Sequence, residues 1–190
     1  MTQETTSSIA GPPPYLRPVA DFMNTLDVES GGDDIATPDA LAAWLRKRDV
    51  RLDPATVTGG DFERAVRLRT ALRALAFANH DKSADAHALE DLNSLAATLP
   101  LAVRFEAHGE AALAPTAEGV DGVLAAIVAG VYRAMLEGTW PRLKICAADT
   151  CQWAFYDRSK NRSGTWCSMA VCGNRTKVRK YQQRKRGTDS

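Results

Sequence analysis

The chain has 190 residues, 45% hydrophobic and 25% charged, which fits one ordinary globular domain or one domain with a small appended module. It holds no unbroken apolar run long enough to cross a membrane, and its opening "MTQETTSSIAGPPP" lacks the basic and apolar regions of a secretory signal, so a cytoplasmic location is expected. The net charge of +1 hides an asymmetry: residues 142–190 hold 12 Lys/Arg against 3 Asp/Glu, whereas residues 1–141 hold 12 against 20.

Residues 1–14 read as a polar, proline-stiffened lead-in to a body spanning residues 15–140. In "DFMNTLD", Asp21, Asn24 and Asp27 fall on or near one helical face. They form a candidate effector-binding cluster, with capping or core hydrogen bonding as the alternative reading. "TPDALAAWLRKR" starts a helix, with Thr37 as N-cap and Pro38 at the first helical position. "DFERAVRLRTALRALAFANH" places Phe62, Val66, Leu72, Leu75 and Ala76 near one stripe, which predicts a second helix. "SADAHALEDLNSLAATL" predicts a third, capped by Ser83. "LAVRFEA" alternates like a strand, with "AALAP" as its hairpin partner across His108-Gly109. "GVDGVLAAIVAGVYRAMLEG" predicts the central helix, with Val120, Val123, Leu124, Ile127, Val128, Val131 and Met135 on its apolar face. The same stripe is a candidate surface for pairing with a second copy of the chain. The expected fold is mainly α with a small β element (α+β), and no internal repeat is present.

Catalysis finds no support in this body. No H-E-x-x-H, G-x-S-x-G or P-loop pattern occurs, and His80, His87 and His108 read as surface or loop residues. The expectation is a protein that is not an enzyme.

All four cysteines fall in the basic segment, as C-x4-C-x15-C-x4-C: Cys146, Cys151, Cys167 and Cys172. Two short-spaced pairs joined by a linker of this length can close around one tetrahedral ion, and zinc takes four thiolates in structural sites. Disulfides and unrelated buried thiols are the competing readings. A segment this small buries too little apolar surface to fold alone, so a metal would supply folding energy. "QWAFYD" reads as a strand and "RSKNRSG" as a turn, which predicts a small hairpin between the cysteine pairs. In "GNRTKVRKYQQRKRG", Gly173 is read as relaxing the chain, Asn174 as N-cap and Gly187 as the stop of a basic helix. Val178 and Tyr181 mark one face of that helix. Arg175, Lys177, Arg179, Lys180, Arg184, Lys185 and Arg186 surround the rest and are the candidate nucleic-acid contacts, Arg toward guanine and Lys toward phosphate.

"CQWAFYDRSKNRSGTWCSMAVCGNRTKVRKYQQRKR" resembles the CGNR zinc-finger family, whose tetrapeptide stands here as Cys172-Gly173-Asn174-Arg175. "VADFMNTLD" and "LEGTWPRLKICA" are similar to the ABATE domain that precedes this finger, a family described as stress-induced transcription regulators. The resemblance covers about residues 17–186. It implies one structural Zn2+ on Cys146, Cys151, Cys167 and Cys172, in a module spanning 141–187 that binds double-stranded DNA. The residues by themselves leave open an RNA-binding zinc module, its tryptophans stacking unpaired bases, and a metal-stabilised protein-interaction adaptor.

Overall fold

The computed structural model describes residues 11–48, 50, 52–53, 56–81, 85–105, 107 and 109–188. A 3-10 turn at Pro14–Leu16 runs into α1 (Arg17–Met23), which ends where Asn24 turns out of the helix. Two residues later the chain enters β1 (Leu26–Asp27), paired antiparallel with β2 (Gly32–Asp33). Asp27 therefore lies on a strand and not on the helix that carries Asp21. Helix α2 (Pro38–Arg46) begins as its sequence requires: the Thr37 hydroxyl accepts the Ala40 N–H at 3.1 Å and Pro38 takes the first position.

Helix α3 (Gly59–Asp81) is the spine, and its inward stripe is unusual. Ala65, Leu68, Leu72 and Ala76 are buried as apolar spacing dictates, but Arg69 and Arg73 are buried among them. Arg69 forks onto both oxygens of Asp33 at 2.6 and 2.7 Å and donates to the Thr25 hydroxyl at 2.9 Å. Phe62 and Leu75 pack at the edge of this core, and Val66 is half-buried.

Helix α4 (Ala86–Ala96) folds back on α3 and is capped by Asp85, which accepts the His87 N–H at 3.0 Å. Ser83, the cap expected from sequence, lies outside the described residues, as does His108. The hairpin of β3 (Leu101–Phe105) and β4 (Ala111–Pro115) forms with Val103 opposite Leu113.

Helix α5 (Gly119–Leu136) is long and apolar enough to cross a membrane by length and composition, yet here it is the central core helix. Val120, Leu124, Ile127 and Val131 are buried, and the helix packs on the 3-10 turn, α1, α3 and β4. Gly130 permits that approach: a Cβ there would meet the Tyr15 carbonyl oxygen at 2.7 Å. Most of the stripe considered for self-pairing is thus covered by the chain itself, while Tyr132, Met135 and Leu136 stay exposed.

After a second 3-10 turn at Trp140–Arg142, β5 (Leu143–Ile145) pairs antiparallel with β6 (Ala154–Tyr156). Trp140, Leu143, Ile145 and Ala154 belong to the same buried cluster as Phe22, Leu72 and Ile127. Residues on both sides of position 141 therefore share one core. The chain ends in a π-helical turn (Met169–Gly173) continuous with α6 (Asn174–Thr188).

Candidate metal centre and nucleic-acid interface

The hairpin expected between the cysteine pairs is instead built around the first pair. Strand β6 finds its partner upstream, in β5, and the turn joining them carries Cys146 and Cys151. The Cys146 N–H donates to the Trp153 carbonyl at 2.8 Å, and the Cys151 and Gln152 N–H groups both donate to Ala148, at 2.8 and 3.1 Å. Gln152 holds a positive φ of 50°, a conformation that costs a non-glycine residue roughly 1 kcal/mol or more. The second pair is brought over the first by the Ala147 N–H, which donates to the Thr165 carbonyl at 3.0 Å.

The four sulfurs lie within 4.8 Å of one another, with Cys151–Cys167 at 3.6 Å and Cys167–Cys172 at 3.7 Å. A tetrahedron of sulfurs about 2.3 Å from a central zinc has edges of about 3.8 Å. A disulfide would need about 2.05 Å, and all four cysteines are free. Burial and the neighbouring thiols push the Cys172 thiol up to about 11 and raise Cys167 further. Burial acts the same way on Cys146, but the Ala148 and Cys167 N–H groups outweigh it and lower that thiol. Four thiolates cannot crowd into this space unaided, and a divalent cation supplies the missing charge. The donor set therefore fits one closed, structural zinc, with no open position for chemistry. Phe155 and Trp166 pack against the cluster.

The body holds this centre by its backbone. Arg73 of α3 donates to the Met23 carbonyl at 2.9 Å and to the Gln152 carbonyl at 3.0 Å, beside Cys151. Burial and nearby Arg69 lower its pKa, and the Cys151 thiolate opposes them. Asn79 donates to the carbonyls of Trp140 and Leu143 at 3.0 and 2.8 Å, and His80 Nε2 lies 2.6 Å from the Ile145 carbonyl. His80 is thus a structural contact of the hairpin, while His87 is exposed as expected. None of these α3 residues was singled out as a hairpin contact from the sequence. The available signal was polar side chains at helical spacing on an otherwise apolar stripe.

Asn24 uses both ends of its amide on one residue, donating to the Ala154 carbonyl at 3.0 Å and accepting the Ala154 N–H at 2.7 Å. It extends β6 as a side-chain mimic of a strand. Its amide is thereby tied to the backbone of β6, and Asp21 is an exposed surface residue. Asp27 accepts the N–H groups of Glu29 and Ser30 within its own turn. The core hydrogen-bonding reading of this motif is the one the fold uses. A cleft of about 640 Å³, bounded by Tyr15, Leu113, Tyr132, Arg133 and Leu136, offers a small molecule more room.

The basic helix starts earlier than its sequence suggested. Ser168 caps it by accepting the Val171 N–H at 3.3 Å, so Asn174 is already helical and donates its amide to the Ala170 carbonyl at 3.1 Å. Gly173 does not turn the chain; Met169 Sδ sits 2.5 Å from where its Cβ would be. The helix passes through Gly187 to Thr188. Arg175, Lys177, Arg179, Arg184 and Lys185 are exposed along it, together with Val178 and Tyr181; Lys180 and Arg186 lie on the same helix. Arg175 also pairs with Glu29 of the β1–β2 turn at 2.5 Å.

A helical body whose core extends into a four-cysteine knuckle, followed by a projecting basic helix, defines a zinc-finger protein with a fused N-terminal domain. Two family models match: "CGNR zinc finger" over residues 142–185 and ABATE, "Putative stress-induced transcription regulator", over residues 16–138. The chain belongs to the ABATE family and carries a CGNR zinc finger. No curated protein matches it.

Proposed function

We propose that this protein is a non-enzymatic transcription regulator that binds double-stranded DNA through α6, with zinc fixing the platform from which that helix projects. The carrying observation is that α6 has no acidic residue between Asn174 and Thr188 and leaves Arg175, Lys177, Arg179, Arg184, Lys185 and the apolar pair Val178/Tyr181 exposed. Like charges one turn apart, such as Arg175 and Arg179, disfavour an isolated helix, and a helix of this length is marginal in water. A polyanion relieves the repulsion, and a groove gives the apolar pair a surface. The family's description as a transcription regulator supports the same reading.

The test uses the full-length, zinc-loaded chain and duplex DNA. If six to ten phosphates are engaged, affinity falls roughly 10³–10⁵-fold between 50 and 200 mM salt. Chelating the zinc should abolish binding, and replacing Lys177 and Arg179 with Ala should weaken it. Affinity indifferent to both salt and chelator overturns the reading. Trp153, 40% exposed beside the knuckle, favours an RNA-binding alternative in which it stacks an unpaired base. Preferential competition by single-stranded RNA would establish that alternative.

Regulatory input is proposed to enter the body at the cleft beside Tyr15 and Arg133, not at Asp21 and Asn24. An effector seated there would shift the DNA-binding curve, and filling the cleft with Ala129→Trp would remove the shift while leaving basal affinity unchanged.

A further inference from the structure

Between β6 and the third cysteine, the loop of residues 157–165 is built from the inside. Asp157 and Lys144 are buried at 3% and 2% exposure and paired at 2.9 Å. Every remaining side-chain bond of that pair among the described residues goes to the loop. Asp157 accepts the N–H groups of Ser159 and Gly164, at 2.9 and 2.8 Å, and Lys144 donates to the carbonyls of Arg162 and Gly164, at 2.5 and 3.1 Å. Arg142 adds two more bonds, to the carbonyls of Asp157 and Ser159, at 3.0 and 2.8 Å. Arg162 is held at a positive φ of 54°, and a Cβ on Gly164 would lie 2.6 Å from Asp157 Oδ1. Burial opposes ionisation of Asp157, but Lys144 and the loop N–H groups dominate and hold it down at about 2, so its charge stays turned inward.

The outward side of this loop carries Arg158, Lys160 and Arg162, all exposed. None of the three has an acidic partner among the described residues, which also holds for exposed Arg17, Arg46 and Lys47, whereas exposed Arg67, Arg133 and Arg175 pair with carboxylates. The nearest acid in sequence, Asp157, is engaged below them. A solvated loop needs no such internal frame. Fixed backbone with projecting cations is what contacts to nucleic-acid phosphates require, because phosphate contacts set register. The loop ends two residues before Cys167 and α6 begins two residues after Cys172, so one zinc centre anchors both.

We infer that the loop carrying Arg158, Lys160 and Arg162 is a second phosphate-binding element, gripping the DNA backbone alongside α6. This rests on the DNA-binding reading above. The experiment measures duplex affinity against salt for the full-length, zinc-loaded chain and for the triple variant Arg158→Ala, Lys160→Ala, Arg162→Ala. Each lost phosphate contact removes about 0.9 from the slope of log K on log salt, so the slope should shrink by about two to three. A control triple variant, Arg17→Ala, Arg46→Ala, Lys47→Ala, removes the same charge from exposed positions of the body and should leave the slope nearly unchanged. Zinc content and far-UV signal verify folding, and Lys160→Gln alone repeats the test with an expected decrease of about one. A loop variant that loses no more slope than the control, while the Lys177/Arg179 variant does lose slope, overturns the loop element alone. A wild-type chain without salt-dependent DNA binding overturns it together with the DNA-binding reading.

Discussion

Arg73 is the residue that ties the helical body to the metal knuckle most directly. Its two bonds satisfy the last carbonyl of α1 and the carbonyl of Gln152, the strained residue after Cys151. Arg73→Leu would leave the buried Met23 carbonyl unpaired, at about 1–3 kcal/mol, and the part-buried Gln152 carbonyl unpaired at a smaller cost. The midpoint of urea unfolding should fall, and zinc should pass faster to a chromogenic chelator. Arg73→Lys should recover only part of this, since one ammonium cannot reproduce the fork. Gly164 makes a sharper claim, because the atom it would strike is not free to move. Asp157 is locked by Lys144 and by two loop N–H groups, so Gly164→Ala must displace the pair or the loop. The expected loss is about 1–3 kcal/mol in urea melts. A stabilised Gly164→Ala would show that the loop is loosely held and weaken its assignment as a preorganised element.

At the scale of elements, the short hairpin of β5 and β6 behaves as part of the body although it carries a zinc knuckle. Leu143 and Ile145 are buried in the core cluster of α3, so the metal and the helices stabilise one another. Cys167→Ser should abolish zinc binding and melt the π-helical turn with α6, while most far-UV signal from α1 to α5 persists. The remaining helices should nevertheless unfold at a lower temperature than in the parent. Ile145→Ala, which leaves all four thiols in place, should cost about 2–5 kcal/mol and loosen zinc as well. Two independent melting transitions in the parent would show that the parts do not share stability.

The same elements explain what was legible beforehand. Thr37-Pro38, the β3–β4 alternation and the α5 stripe were readable because local chemistry decides caps and period, although β3 leaves its apolar Val103 and Phe105 exposed. The cysteine spacing marked the metal centre for the same reason. The pairing of β6 with β5 was not readable, because Lys144 interrupts a fully buried strand and its partner Asp157 lies across the knuckle. Arg69 and Arg73 were hidden likewise: polar residues on a buried stripe are resolved only by partners far away in sequence. Gly173-Asn174 misled because cap residues signal a helix start only where the chain is not already helical.

For the whole molecule, the separation of charge along the chain becomes a question about what α6 meets before DNA arrives. The body is net acidic and α6 strongly basic, and their described ion pair is Arg175 with Glu29. Both side chains are about half exposed, so the pair is weak and open to exchange for a phosphate. A phosphate competing for Arg175 must displace Glu29, and the acidic turn also repels the duplex as it approaches. Glu29→Gln keeps the shape of the turn and removes the charge. Duplex affinity should therefore rise about two- to fivefold at low salt, and the gain should shrink as salt screens the contact. The association rate should carry most of the change, because long-range repulsion acts before contact. An unchanged affinity would mean that Arg175 stays with Glu29 in the complex. A lowered one would mean that Glu29 positions Arg175 for its base or phosphate, making the ion pair part of the DNA-binding surface and not a competitor of it.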